Sequence, residues 1–279
     1  RNLHALLRVG DMMNIYLFEL KMLRKSIIIW SLAISLSIVM YLAFYPAMAA
    51  DTAAFDALLA DYPEEFLAFM GMRADLPMSS LFGYFALTFG MMQIPIAIQA
   101  ANYGFHMLSV EEREMTADFL LSKPISRTKI IISKFSASMT SLTIVNISVW
   151  IGSITALLMF KGDAVIDLSN VFILLSTIVL FQLCFISIGM LISVSVRKIP
   201  SVLTFSMAMG FGLYIVYGFK SLFSSNLLAF FTPYAYFDPA DILVNGKYNL
   251  VYTLVAIFVI VGSLSLSYVL YNKRNIHSL

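Results

Sequence analysis

The chain is 279 residues long, 60% hydrophobic and only 12% charged, with a formal net charge of +2. Soluble domains are about 45–50% apolar and about 25% charged, so this composition excludes an ordinary soluble protein. The small net charge argues against a nucleic-acid-binding surface, one Cys excludes a disulfide framework, and three scattered His provide no metal-ligand cluster.

Six stretches are long and apolar enough to cross a membrane as helices, because a span needs about 20 such residues. We therefore predict an all-α integral membrane protein with a single six-span domain over residues 12–279. Asp, Glu, Lys and Arg are absent from the interior of all six stretches. Ion-coupled carriers generally need such groups at membrane depth, so the sequence favours another energy source. The predicted spans are residues 26–46, 79–103, 135–160, 171–196, 201–219 and 250–271.

The basic residues predict the orientation of the spans. Fourteen of the 18 Lys and Arg residues fall before span one, after span six, or in the loops that follow spans two and four. Because Lys and Arg concentrate on the cytoplasmic side, we predict a multi-pass protein of the plasma membrane with both termini cytoplasmic. Residues 1–11 are either native or an upstream segment that precedes a natural start at Met12 or Met13. The loops on the other side hold Arg73, Lys161, Lys220 and Lys247.

The first predicted element is an amphipathic helix over residues 12–25. Its basic residues Lys21, Arg24 and Lys25 gather on one face, apolar residues occupy the remainder, and Glu19 interrupts the pattern. Such a helix lies in the membrane interface with its cations toward lipid phosphate. We favour this interfacial helix over the alternative, in which the same residues are the first turns of span one extending out of the membrane.

The first outer loop and span two follow. In the loop, Pro63 is expected to divide two short helices that form either an outer cap over an exit path or a solvated loop. Span two is the most polar span, and Pro95 is expected to kink it. Its amides mark a candidate translocation path or subunit interface, and hydrogen bonding between helices of one subunit explains them equally well. These amides belong to Gln93, Gln99 and Asn102.

Residues 111–127, between spans two and three, are a charged island in an apolar chain. Residues 111–121 can form about three helical turns with acidic residues at the start, where the helix dipole favours them. Lys123 precedes Pro124, so this helix must end there. Ser126 can then cap a new helix that leads into span three. The pattern predicts a short rigid rod suited to docking into another protein, and an ordinary charged connector is the alternative.

The predicted outer segment after span five, residues 221–249, is crowded with aromatic residues between Pro233 and Pro239. A segment this apolar that is too short to span is either re-entrant or lies flat as an aromatic belt on the outer leaflet. In span five itself, Met207 and Met209 offer a soft surface for varied apolar ligands, although Met also simply fills cores.

The charged island resembles the cytoplasmic coupling segment of ABC transporter type-2 permeases, the membrane subunits of one class of ATP-driven exporter. The family pattern is an acidic start, then Gly-Thr-Leu-Glu, two Leu, Ser or Thr, any residue, Pro, Ile or Val, Ser and Arg. Met115, Ala117 and Asp118 stand where the family has Gly, Leu and Glu. The matching residues are Thr116, Leu120, Leu121, Ser122, Pro124, Ile125, Ser126 and Arg127.

The six-span plan extends the resemblance over nearly the whole chain and implies the remaining parts of such a permease. These are an interfacial helix that helps to grip the ATPase, re-entrant outer helices, and a coupling helix between spans two and three that binds the ATPase. The implied partners are two copies of an ABC ATPase subunit and a second permease chain, identical or homologous, in membrane lipid. The implied ATPase-binding residues are Glu111, Glu112, Glu114, Thr116, Asp118, Phe119, Leu120, Leu121, Pro124 and Arg127.

ATP and Mg are expected on the partner ATPase and no cofactor in this chain, since Gly218–Ser221 lacks the spacing of a phosphate-binding loop. The uncharged, Met- and aromatic-rich spans favour an amphipathic or hydrophobic cargo, such as a peptide, antibiotic or lipid. The resemblance further implies export of antimicrobial or cytolytic peptides, or drug resistance, as in bacterial permeases of this size. The alternatives are a non-transporting scaffold or channel and an intramembrane enzyme. The enzyme ranks low because His4, His106 and His277 lie near or beyond the cytoplasmic ends of the spans.

Overall fold

The computed structural model describes residues 2–73, 75–113, 126–196 and 199–273, and the side chains of residues 2–11, 55–56, 108–113 and 127 are not described. The described residues are helical, with an isolated bridge between Arg73 and Leu76. In chain order the helices are α1 (Asn2–Leu42), α2 (Tyr45–Ala50), α3 (Thr52–Ala60), α4 (Glu64–Phe69), α5 (Leu81–Arg113), α6 (Arg127–Phe160), α7 (Leu168–Ser195), α8 (Val202–Leu222), α9 (Asn226–Ala229), α10 (Pro233–Tyr236), α11 (Pro239–Asn245) and α12 (Leu250–Lys273).

Six helical stretches among the described residues are long and apolar enough to cross a membrane, which confirms the predicted number of spans. The two short helices that Pro63 was predicted to divide also form: α3 ends at Ala60, and α4 begins directly after Pro63. The six stretches are Met12–Ala50, Leu81–Met107, Thr128–Phe160, Leu168–Ser195, Val202–Leu222 and Leu250–Lys273.

Helices α5 and α7 form the centre of the bundle. About two thirds of the most apolar window of each is buried, 67% for α5 and 61% for α7, against 17–28% for α1, α8 and α12. Small residues let their backbones approach closely, as in other membrane helix pairs. A Cβ added at Gly104 would lie less than 3.0 Å from the carbonyl oxygen of Ile186 on α7. Close packing of α5 against α7 therefore requires glycine at position 104.

Helix α1 packs alongside α6, and the two run parallel. Tyr16 hydrogen-bonds to Thr140 at 3.1 Å, and Ser35 hydrogen-bonds to Ser148 at 2.9 Å. The helix is unbroken from Asn2 to Leu42, so residues 12–25 are not a separate element. This favours the alternative of a continuing first span over the distinct interfacial helix that we predicted. The outer face of α1 exposes three cations between apolar side chains, namely Lys21, Arg24 and Lys25.

The outer segment between α8 and α12 folds back into the bundle. The Tyr234 hydroxyl donates to the carbonyl of Gly210, near the middle of α8, at 3.1 Å. Its ring packs edge-on against Phe181 and Phe185 of α7, with centroids 5.2 and 5.6 Å away, in the range of favourable aromatic pairs. A flat belt would leave these rings exposed, whereas Tyr234 is 1% exposed. The burial favours the re-entrant prediction, whose depth in a bilayer stays a prediction.

Candidate functional site

The predicted ATPase-binding segment lies largely outside the described residues. Helix α5 is described to Arg113 and α6 begins at Arg127, so the backbone of Glu111, Glu112 and Arg127 is helical while their side chains are not described. Ser126 stands at the N-cap position of α6, as predicted, but its hydroxyl makes no capping hydrogen bond. The predicted residues outside the described ranges are Glu114, Thr116, Asp118, Phe119, Leu120, Leu121 and Pro124.

A buried lysine connects three helices just inside the two ends that flank this segment. Lys134 of α6 is 5% exposed. Its ammonium donates to the carbonyl oxygen of Met107 on α5 at 3.3 Å, and it lies 3.5 Å from a carboxylate oxygen of Glu19 on α1. Removal of a charge from water costs several kcal/mol unless a partner compensates it, so the lysine holds α1 and α5 against α6.

Tyr103 makes a second connection between the same three helices. Its hydroxyl hydrogen-bonds to Ser141 of α6 at 2.8 Å and to Ser26 of α1 at 3.1 Å. Together with Glu19, Met107 and Lys134, these residues form what we call the three-helix junction. Buried polar networks of this kind rigidify the elements that they join. The helices on both sides of residues 114–125 are therefore tied to each other and to α1.

Two charged residues in the sequence, Glu19 and Lys134, gave a weak indication of the three-helix junction, but the sequence pattern alone does not pair them. In the sequence, Glu19 interrupts an amphipathic pattern, and Lys134 lies just before the third predicted span. In the structure the third candidate span begins at Thr128 and so includes Lys134. The third predicted span is free of charge only because its predicted start, Phe135, lies one residue after Lys134. The two charges lie 3.5 Å apart and face each other rather than an open path.

The residues predicted to line a translocation path are not gathered on one open surface. The Gln93 amide nitrogen donates to the carbonyl oxygen of Phe237 at 2.8 Å, which is hydrogen bonding within one subunit. Gln99 is fully buried, and neither of its amide atoms has a hydrogen-bond partner among the described residues. Asn102 is half-buried. On α8, Met207 is 42% exposed whereas Met209 packs against the core, so the two Met residues face different surroundings.

A second polar cluster lies where the loop between α4 and α5 meets α11. The Arg73 guanidinium forms ion pairs with Asp75 and with Asp241 of α11, which ties this loop to the segment between α8 and α12. Its hydrogen bonds hold the pKa of the Asp75 carboxyl below the usual value. Asp238 is 6% exposed, accepts a hydrogen bond from the Tyr217 hydroxyl at 2.7 Å and caps α11. Burial raises the pKa of Asp238, because the charged carboxylate loses solvation.

No group of three or more His, Cys, Asp or Glu in the described part of the chain is placed to hold a metal ion. The single Cys, Cys184, is buried among apolar residues of α7.

Comparison with known proteins gives one match that covers nearly the whole chain. A family model described as "ABC-2 family transporter protein" matches residues 13–276. No curated protein and no solved structure matches the chain.

Proposed function

The chain belongs to the ABC-2 family of transporter proteins, which makes it a membrane permease of an ABC transporter, and we propose that it exports its cargo using ATP hydrolysed on a separate subunit. The family in general works with an ABC ATPase partner, and the chain is a multi-pass membrane protein. We place both termini in the cytoplasm, since fourteen of the 18 basic residues then lie inside.

The three-helix junction is the observation that carries the proposal. A partner that moves residues 114–125 pushes on the ends of α5 and α6. Because Lys134 and Tyr103 tie both helices to α1, such a push displaces three spans as one body rather than bending one loop. Rigid-body movement of packed helices is a common way to convert a local event into a change of access.

The proposed assembly has two permeases and two ATPases. Six spans are half of what such exporters use, so a second permease, identical or homologous, is proposed to complete the path. The exposed apolar side of α8 supports this, because it offers a surface for a second membrane helix or for lipid. ATP and Mg belong on the ATPase subunits. The exposed large side chains of α8 are Leu203, Met207, Phe211, Ile215 and Phe219.

The proposed cargo is an amphipathic or hydrophobic molecule, a peptide, antibiotic or lipid. The apolar, Met-containing surface of α8 supports a cargo with an apolar part, since Met adapts to varied apolar shapes. A bacterial origin and a role in drug resistance or antimicrobial-peptide export are part of the same proposal.

Reversal of the acidic charges of the coupling segment tests the proposal. We expect Glu111→Lys, Glu112→Lys and Glu114→Lys together to weaken retention of the ATPase by at least about tenfold, since each tenfold loss needs only about 1.4 kcal/mol. The measurement is co-purification of the partner ABC ATPase, co-expressed with this chain, with quantification of the bound subunit.

A matched control reverses three acids on the outer side, with Asp61→Lys, Glu64→Lys and Glu65→Lys. It changes the net charge by the same amount and should leave the ATPase bound. Full retention by the coupling-segment variant contradicts the docking assignment. A wild-type permease that retains no ATPase favours the scaffold or channel alternative.

A further inference from the structure

Three carboxamide side chains are buried near the middle of the bundle, one on each of α5, α6 and α7. Gln99 of α5 is fully buried, Gln182 of α7 is 1% exposed and Asn146 of α6 is 7% exposed. The Asn146 amide nitrogen donates to the amide oxygen of Gln182 at 2.7 Å. This bond joins α6 to α7 and leaves one oxygen and one nitrogen of the pair available for a further partner.

Gln99 lies at the same level of the bundle as this pair. Residues four apart lie on the same face of a helix, about one turn from each other. One turn from the three amides, toward one end of the bundle, lie three buried residues that belong to a single packed cluster. Because successive spans cross in opposite directions, the turn is counted forward on α5 and α7 and backward on α6. The three residues are Tyr103 after Gln99, Leu142 before Asn146 and Ile186 after Gln182.

The side of α5 that carries Gln99 also faces α6. Tyr103, one turn away on the same face, donates or accepts a hydrogen bond with Ser141 of α6 at 2.8 Å. Gly104 is in close contact with the backbone of Ile186 on α7. Gln99 is therefore level with the Asn146–Gln182 pair and lies on the part of α5 that packs into the same interior.

The three amides carry complementary atoms without partners. Among the described residues, no hydrogen bond reaches the nitrogen or the oxygen of the Gln99 amide, the Asn146 oxygen or the Gln182 nitrogen. Two of these four atoms are donors and two are acceptors. Buried polar groups without a partner are rare and costly in folded proteins, and lipid tails offer no substitute. A small molecule that both donates and accepts would satisfy all four atoms.

We propose that Gln99, Asn146 and Gln182 bind buried water between α5, α6 and α7, and we call these three residues the amide site. Buried waters make about three hydrogen bonds each, to polar groups that otherwise lack partners. Water can accept from the Gln182 nitrogen and donate to the Asn146 oxygen, with the Gln99 amide as the further partner.

An ion does not match the amide site. A metal cation is coordinated by oxygen atoms and would meet the N–H groups of Gln99 and Gln182. An anion needs donors and would meet the oxygens of Gln99 and Asn146. Direct pairing of the amides with one another is the competing arrangement, and in that arrangement no water reaches the Gln99 amide.

The amide site adds α7 to the three-helix junction, which joins α1, α5 and α6. Tyr103 belongs to the junction and lies one turn from Gln99. Bridging waters are nearly as favourable as direct hydrogen bonds, so water at the amide site connects a fourth span to the same polar network. The inference concerns the folded chain alone and does not depend on the proposed export function.

The test detects transfer of nuclear magnetisation from water to side-chain N–H groups in the full-length permease in lipid nanodiscs. The chain contains three glutamines, Gln93, Gln99 and Gln182. Isotope labelling of glutamine side chains therefore gives three amide signals, and each is assigned by its loss when that residue is replaced by Met. We expect rapid transfer from water to Gln99 and Gln182. Labelled Trp150 is the reference without transfer, since its indole N–H already donates to the Leu175 carbonyl at 3.1 Å.

A substitution shows whether the water is shared between the amides. Gln99→Met is expected to abolish transfer to Gln182, because water held by fewer polar partners binds less well. Thr88→Val is the matched control on the same helix. It removes another buried polar group of α5, whose hydroxyl donates to the carbonyl of Tyr84, and it should leave transfer to Gln99 and Gln182 unchanged.

Three results would overturn the proposal. Absence of transfer to Gln99 and Gln182 in the wild type indicates direct pairing of the amides, and this result needs no variant to fold. Transfer to Trp150 as rapid as to the glutamines indicates water throughout the bundle rather than at one site. Undiminished transfer to Gln182 in Gln99→Met excludes Gln99 from the site. None of these measurements involves the ATPase, so they are independent of the ATPase-docking test.

Discussion

Replacement of Gly104 by alanine is expected to destabilise the permease strongly, because it forces the two central helices apart. The new Cβ would lie less than 3.0 Å from the carbonyl oxygen of Ile186 and 3.1 Å from that residue's Cα. These neighbours are backbone atoms of a buried helix, so α5 and α7 must move apart. Overpacking typically costs about 1–3 kcal/mol, and separation of the central pair places this variant at the upper end.

The measurement is the unfolding midpoint and the monodisperse fraction of the detergent-solubilised protein. Gly212→Ala and Gly262→Ala are matched controls, because a Cβ at either position meets nothing within 4 Å. Alanine is favoured over glycine within a helix by about 1 kcal/mol, so both controls should be unchanged or slightly more stable. A Gly104→Ala midpoint equal to that of the controls would show that α5 and α7 are not in backbone contact.

Replacement of Lys134 by methionine is expected to damage both stability and coupling. The variant removes the ammonium that lies 3.5 Å from the Glu19 carboxylate, whose side chain is 18% exposed, and it removes this donor to the carbonyl of Met107. Breaking a buried ion pair on one side typically costs about 3–5 kcal/mol, and the partial exposure of Glu19 favours the lower figure. Since the junction ties α1 and α5 to α6, we also expect transport to fall more than ATPase activity does.

Two further variants distinguish the effect of losing the Lys134–Glu19 ion pair from the effect of losing one positive charge. Lys129→Met removes the same charge from the same helix and should have little effect. The double variant Lys134→Met with Glu19→Leu should recover much of the stability, because well-packed apolar residues can replace a buried ion pair at little cost. If the double variant also recovers coupling, the junction needs only tight packing. If Lys134→Met retains normal stability and transport, the three-helix junction has no mechanical role.

The sequence predicted those features that depend on local composition. Six apolar stretches had to be spans, because about 20 apolar residues are what a helix needs to cross a bilayer. Pro63 had to separate two outer helices, since proline lacks the N–H that a continuing helix requires. The start of α6 at Arg127 was also predictable, because Pro124 disfavours a helical conformation at the residue before it and a new helix can begin after it. The coupling motif pointed to the family, which the match over residues 13–276 shows.

The sequence misjudged features that depend on which helices become neighbours. The interfacial helix was favoured because its cations share a face, yet the same residues continue α1 without a break. Glu19 broke that pattern because it faces Lys134 on another helix, 3.5 Å away. Gln93 was expected on a path or in packing, and only the fold showed that it bonds to the carbonyl of Phe237.

By itself, then, the sequence determined that this protein crosses the membrane six times, offers a charged segment between spans two and three, and belongs with transporter permeases. These properties follow from hydropathy, proline chemistry and a short motif, which act within one stretch of chain. Only the tertiary structure decided that Gly104 meets a backbone, that Lys134 and Glu19 meet each other, and that Asp238 is buried against the Tyr217 hydroxyl. Each of these depends on contacts between residues far apart in the chain, which packing creates and no local pattern encodes.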